Sequence, residues 1–438
     1  RHYDRFESGL ERSLCDERRR MQRRIMRHFG ADHAAWRSWR WHLAHVIRDL
    51  ATLEKLVHLH PHERDGLIAA KRHNIPIQIT PHYLSLFSAD GNGGYDRAIR
   101  AQVIPSAYYC EAVAASKTEQ CDLDFMGERS TSPAACITRR YPRVVILKPF
   151  DSCPQICVYC QRNWEIATLA HGDINPRRLQ QGLAWLRRTH TISEVLLTGG
   201  DPLTLPDDRF AAVLAALAEI PHVERIRVCT RTPVTLPQRL TPALVRLCTQ
   251  HHVPGRRDIC LVTHVESAAE LTPDTLAAIT RWRRAGLSAY NQHVFTYYTS
   301  RRYELCFLRT WLRRCGITPY YTFNTKGKDE TRDFRVPIPR LEQERREEAR
   351  LLPGLLRTDT AVFNVPRIGK VNLRAWQDHE PIMILPDGRR VYRFYPWEAS
   401  LRAVEDYRYT DVSIYEYLRR LLADGEVVDD YVSIWYYF

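Results

Sequence analysis

Three cysteines crowd into the run Asp151-Ser-Cys-Pro-Gln-Ile-Cys-Val-Tyr-Cys160, with a C-x3-C-x2-C spacing directly after a β-branched stretch. Three thiolates on one short loop can hold three irons of a [4Fe-4S] cube and leave the fourth iron open to a ligand. Cys153, Cys157 and Cys160 are the candidates. Structural zinc sites take four protein ligands, usually as two separated pairs, and no second pair is present. A redox C-x-x-C pair would explain Cys157 and Cys160 but not Cys153, and chance crowding of free thiols is the remaining alternative. One strand–helix unit later stands Leu196-Leu-Thr-Gly199-Gly200-Asp201-Pro202. Alone it would be a turn.

These residues need a scaffold, and the pattern from Arg143 onward supplies one. Short β-branched runs at Val144–Leu147, Glu194–Leu197, Arg225–Cys229, Ile259–Thr263, Ser288–Phe295 and Thr318–Phe323 alternate with amphipathic stretches. Thr241-Pro242 and Thr272-Pro273 mark helix starts, and Gly286 and Gly316 mark helix ends. The alternation predicts right-handed βαβ crossovers and a parallel α/β sheet, closed into a partial or full barrel with its chemistry at the C-terminal strand ends.

The chain before residue 140 looks mainly helical. Residues 11–29 place Leu14, Met21, Ile25 and Met26 at helical spacing, Trp36, Trp39 and Trp41 follow, and a second helical run is predicted from His42 to Leu59. Gly91–Gly94 marks a loop. Pro339–Arg350 reads as a charged, solvated helix, and the tail after Trp397 is rich in Tyr, Asp and Glu. Its three final aromatics suggest packing against a partner subunit. The expected division is 1–140, 141–330 and 331–438.

At 438 residues and 44% hydrophobic the chain can bury a large core. It has no run of eighteen apolar residues, so no transmembrane helix is expected. The charged start, Arg-His-Tyr-Asp-Arg, argues against a secretory signal, and without an initiator Met a few residues are expected to be missing. Twelve cysteines, nine of them scattered, do not make a disulfide scaffold, so a reducing, cytoplasmic setting is expected. Cys229, Cys248, Cys260, Cys306 and Cys315 fit core thiols. The net charge of +13 is spread as arginine pairs on helix faces rather than gathered in one tract. Solvated faces are therefore expected and nucleic-acid binding is disfavoured.

The cysteine loop resembles that of the radical S-adenosylmethionine (SAM) superfamily, and the resemblance narrows to the lysine 2,3-aminomutase family from about Trp36 to Trp397. Its carriers are Ile79-Thr-Pro-His-Tyr-Leu-Ser85, Arg140-Tyr-Pro142, Gly199-Gly-Asp-Pro-Leu203, Arg231-Thr-Pro-Val234, Asn291-Gln292 and Pro319-Tyr-Tyr321. The resemblance implies a radical SAM partial (β/α)6 barrel with an N-terminal helical extension and a C-terminal extension that binds pyridoxal phosphate (PLP). It implies SAM on the open iron, near Gly199, Gly200, Asp201, His264 and Gln292. It implies PLP held by Lys370 of Gly369-Lys370, where Arg367-Ile368 replaces a glycine run and Arg367 is a phosphate candidate. It gives Arg162 the substrate α-carboxylate.

Lysine-specific members neutralise the distal ammonium with two aspartates; the matching positions here are Lys326 and Asn364, as in the glutamate 2,3-aminomutase branch. The implied reaction moves the α-amino group of a free amino acid, L-glutamate first, to C3. Lysine, another amino acid and a protein-bound lysine are the alternatives within the family. A structural Fe–S protein that binds nucleic acid is the alternative outside it. A homo-oligomer and an electron donor such as flavodoxin or ferredoxin are expected, and no C-terminal zinc site, since the last cysteine is Cys315.

Overall fold

The computed structural model describes residues 4–118, 123–173, 175–366, 368–375, 377–396 and 405–437. Arg367, Trp397 and Phe438 lie outside the described residues. One sheet of nine strands runs in chain order: β1 (Ile137–Arg139), β2 (Val144–Phe150), β3 (Glu194–Gly199), β4 (Arg225–Cys229), β5 (Asp258–Thr263), β6 (Ser288–Phe295), β7 (Thr318–Asn324), β8 (Thr360–Val365) and β9 (Gly369–Asn372). Strands β2 to β8 pair in parallel; β1 and β9 are antiparallel additions at the two edges. All six strands expected from the sequence form, with ends that differ by no more than three residues. The sheet is curved, because Arg227 on β4 donates to the Tyr320 hydroxyl on β7 at 3.1 Å, across the inside of the arc. The result is a partial barrel.

Helix ends follow local chemistry. Thr241 and Thr272 accept from the backbone N–H groups of Leu244 and Thr275, ahead of a proline at the first helical position. Gly286 and Gly316 take φ of +82° and +80° where a side chain would strain the exit. Strand β6 shows which face does what. Ala289, Asn291, His293 and Phe295 are buried, while Tyr290, Gln292 and Val294 are half-open. Tyr290 meets Tyr320 at 5.8 Å, so the half-open face is the inner one.

The helix Arg12–His28 buries Leu14, Met21, Ile25 and Met26, as their spacing predicts. The run from His42 to Leu59 is corrected to two short helices, Trp39–Ala44 and Leu50–Leu56. Ile47 bridges Ile79, and the Asp49 carboxylate caps the second helix through Thr52 N–H, so the chain restarts there. A smaller sheet of β10 (His379–Ile384), β11 (Arg390–Phe394) and β12 (Tyr407–Thr410) precedes the helix Ile414–Ala423. Among the described residues no helix is long and apolar enough to cross a membrane.

The charged helix Ile338–Glu347 corrects a larger expectation. Arg340, Glu342, Gln343, Glu344 and Arg345 are all buried, not solvated. Arg340 pairs with Glu344 at 2.8 Å, Arg345 with Asp359 at 3.1 Å, and Arg309 with Asp359 at 2.7 Å. Buried charges persist only when paired and hydrogen-bonded. Helical spacing shows where charges fall, not what they meet. Arg239 and Arg301 are likewise buried, so part of the arginine surplus is internal.

The tail covers this helix within the same chain. Gln343 donates to the Tyr431 carbonyl at 3.0 Å, and the Tyr437 hydroxyl donates to Glu347 at 3.2 Å. Tyr436 is exposed.

Glu342 has a looser partner, Arg346 at 3.6 Å, and its Oε1, like that of Glu344, is buried with no hydrogen-bond partner among the described residues. Burial pushes its carboxyl up to about 7, against the pull of Arg346. A folded-state value above the ordinary one means the fold favours the protonated form. The associated stability is therefore full at pH below about 4.3 and lost as pH rises through about 7. Glu342→Gln should leave the urea midpoint nearly unchanged at pH 4. At pH 8.5 it should raise stability on the order of 3 kcal/mol, since the rise from about 4.3 to about 7 spans between two and three decades of proton affinity at about 1.36 kcal/mol each. Equal effects at both pH values would reject the assignment.

Candidate functional site at the strand ends

The cysteine loop leaves the end of β2 and is clamped from two sides. Gln78, from the N-terminal region, donates to the Cys153 carbonyl at 3.0 Å and accepts from Leu169 N–H at 2.8 Å. From the other side, Asp201 N–H donates to the Ser152 carbonyl at 3.0 Å. This approach requires Gly200, since a Cβ there would lie 2.1 Å from the Ser152 oxygen. Gly199 sits at φ +113°, which favours glycine outright. Gly200→Ala should cost about 1–2 kcal/mol of local overpacking, a factor of roughly 5–30 in loop occupancy. Iron and sulfide content after reconstitution should fall while far-UV circular dichroism stays unchanged; full iron content would show that the loop tolerates the methyl.

Cys153, Cys157 and Cys160 line one cavity of about 620 Å³. Burial pushes all three thiols up. Two donors oppose this: Arg231 Nη1 donates to Cys157 Sγ at 2.9 Å, and Arg162 N–H to Cys160 Sγ at 3.3 Å. The donors suit thiolates. Among the described residues no three His, Cys, Asp or Glu gather tightly enough for a single ion. Separate sulfurs facing one cavity instead suit a cube, whose corners lie on different irons.

The other residues expected near SAM divide. Gln292 lies on the inner face of β6. His264, after β5, stays partly open, with Nδ1 3.6 Å from Glu266. The Asp201 carboxylate is used internally. It accepts from Thr230 Oγ1 at 2.7 Å, Arg231 N–H at 2.8 Å and Leu203 N–H at 3.0 Å, strapping the ends of β3 and β4 together. Asn291 braces the exit of β5, accepting from Val265 N–H at 2.7 Å. Cys248, Cys260, Cys306 and Cys315 are buried as expected, whereas Cys229 is only half-buried.

The hairpin β8–β9 sets Lys370 directly opposite Asn364. The Tyr141 hydroxyl accepts from Lys370 N–H at 3.2 Å. Lys370 Nζ lies 5.0 Å from the Tyr141 ring and 5.4 Å from the Tyr321 ring. Three separate sequence motifs thus converge on one amine. Its side chain makes no ion pair among the described residues, so the nitrogen stays available to a carbonyl carbon, which is what a PLP-holding lysine needs. Arg140, beside Tyr141, also lacks a carboxylate partner among the described residues. Burial pulls its pKa down, and its cation suits a phosphate.

Between the two halves lies a polar network that sequence reasoning caught only in part. Arg162 donates through Nε and Nη2 to Glu128 at 3.1 and 3.2 Å, and Gln161 donates to the same carboxylate at 2.6 Å. Lys326 is bonded to Gln161 Oε1. Its pKa is pulled well below the ordinary value, chiefly by burial, with Glu128 opposing and Lys328, Arg140 and Arg162 adding to the fall. The last β7–β8 pair is Phe323 with Val362, so Asn364 stands level with Thr325, one residue before Lys326. The structure therefore brings Arg162, Lys326, Asn364 and Lys370 to one end of the sheet. Glu128 was missed; it enters from a turn capped by Asp124, and no motif marks it.

Comparison with known proteins identifies the family. The Radical SAM superfamily model matches residues 147–254. The chain is 41% identical over 447 residues to an uncharacterised KamA family protein of Methanocaldococcus jannaschii, spanning 100% of this chain and 72% of that one. It is 31% identical over 331 residues to a glutamate 2,3-aminomutase of Clostridioides difficile, covering 75% of this chain and 74% of the relative. It is 32% identical over 310 residues to an L-lysine 2,3-aminomutase of Clostridium subterminale, covering 70% of each. With likeness this high over this much of both chains, and with the thiols and the lysine at one end of a partial barrel, the protein belongs to the KamA family of radical SAM enzymes.

Proposed function

We propose that this enzyme is an amino acid 2,3-aminomutase acting on free L-glutamate, moving the α-amino group to C3. Family membership implies a [4Fe-4S] cluster, SAM and PLP. Cys153, Cys157 and Cys160 would hold the cluster, Lys370 the PLP with Arg140 at its phosphate, and Gln292 and His264 would border SAM. When bound, these groups supply the radical and the amine anchor for the rearrangement.

The protein's own residues position the substrate. Glu128 fixes two nitrogens of Arg162, whose Nη1 makes no hydrogen bond among the described residues and would take the α-carboxylate. The Tyr141 and Tyr321 rings wall the amine and exclude water.

The observation that carries the choice of glutamate is the burial of Lys326 among Arg140, Arg162 and Lys328. Together with Lys148, five basic side chains face four carboxylates here, Glu128, Glu165, Glu330 and Asp124. A distal ammonium would be repelled; a distal carboxylate would restore the charge that burial withholds from Lys326. The test is anaerobic turnover of the reconstituted enzyme with dithionite, SAM and PLP, offering L-glutamate and L-lysine separately. β-Glutamate with lysine inert is expected. β-Lysine instead would overturn the pocket assignment and leave the family intact.

A further inference from the structure

We propose that Arg231 sets the reduction potential of the cluster by donating one hydrogen bond to the Cys157 sulfur from a guanidinium that cannot turn away. The inference rests on the assignment of Cys153, Cys157 and Cys160 as cluster ligands, and it concerns a residue that touches neither substrate nor iron. Arg231 follows β4 and is almost fully buried. Every nitrogen of its guanidinium is engaged. Nε donates to the His264 carbonyl at 3.2 Å and Nη1 to Cys157 Sγ at 2.9 Å, while Nη2 donates to Glu270 Oε1 at 2.7 Å and to Gln102 Oε1. The Tyr83 ring lies 5.5 Å from its carbon.

Glu270 is held as firmly. Its Oε1 also accepts from the Tyr83 hydroxyl at 2.9 Å and from Gln102 at 3.1 Å, and its Oε2 accepts from Glu266 N–H at 2.7 Å. A cation therefore stands between the cluster sulfur and a buried carboxylate, held on every nitrogen.

Reduction adds one electron to the cluster from an external reductant, here dithionite, while the guanidinium keeps its protons. A hydrogen-bonded cation at the sulfur favours the reduced state, and a nearby carboxylate opposes it. The two residues must then act with opposite sign. General loosening of the loop has no reason to produce that pattern.

The experiment is an electron paramagnetic resonance (EPR) titration of the reconstituted protein at poised potentials, after iron and sulfide have been counted. At the wild-type midpoint, Arg231→Gln should lower the reduced-to-oxidised ratio about tenfold, equivalent to 59 mV for one electron. Glu270→Gln, which keeps the volume and removes the charge, should raise the ratio. If neither ratio moves, or both move the same way, the proposal is wrong. If Arg231→Gln loads no cluster, Glu270→Gln decides alone. Wild-type protein labelled with 15N in the arginine guanidinium gives a further readout: electron spin echo modulation of the reduced cluster should show 15N coupling, and its absence would overturn the contact. Wild-type protein that binds no iron would instead refute the cysteine assignment.

Discussion

Lys370→Ala should abolish PLP binding and reduce turnover on the order of 10³-fold or more, while iron and sulfide content stays at the wild-type level. The separation follows from topology. Lys370 belongs to β9, an antiparallel edge strand, whereas the cysteines lie on the loop after β2, the strand next to the opposite edge of the sheet. The sheet's curvature brings the two edges together through Tyr141, which follows β1 and bonds to Lys370 N–H. Loss of the lysine amine removes the proposed covalent attachment point but no contact to the cysteine loop. Absorbance near the PLP band, iron analysis and circular dichroism on one preparation would check this. Retention of tightly bound PLP by the alanine variant would show that another group holds the cofactor. Loss of iron along with PLP would show that the two sites are structurally coupled.

The parts of this architecture visible in the sequence are those governed by local physics. Strand positions follow from β-branched runs, helix starts from Thr-Pro pairs, and helix exits from Gly286 and Gly316. The cysteine loop is visible because its spacing has few other uses. What stayed hidden depends on partners far away in the chain. The helix Ile338–Glu347 has the composition of a solvated helix, and it is buried because Arg309, Asp359 and the tail meet it. Glu128 lies 34 positions from Arg162, in a turn with no signature. Asp201 is expected near SAM from the resemblance alone, and only the fold shows that its carboxylate also joins β3 to β4. Arg231 was visible as part of a motif, but only the fold shows its guanidinium pointing at a sulfur.

Lys326→Met should lower kcat/KM for L-glutamate by roughly 10²- to 10³-fold, with PLP and iron content unchanged. The side chain is nearly isosteric, so the loss isolates the charge. Removing one partner of a buried ion pair costs about 3–5 kcal/mol, which sets the scale. The variant also relieves the crowding of Lys326 against Lys328, Arg140 and Arg162, so its fold should be no less stable than the wild type. Because the distal carboxylate is remote from the bond that changes, most of the loss should appear in KM rather than kcat. The Glu128 carboxylate sharpens the test. It already bonds to Arg162 and Gln161, and a substrate carboxylate must find cations that Glu128 leaves free. Arg162 Nη1 and Lys326 are the two groups proposed here for the α-carboxylate and the distal carboxylate of L-glutamate. If Lys326→Met instead leaves glutamate turnover unchanged, the distal carboxylate binds elsewhere and the cationic cluster serves only to hold Glu128. If the loss falls wholly in kcat, Lys326 acts on the placement of the reacting carbons rather than on recognition of the far end.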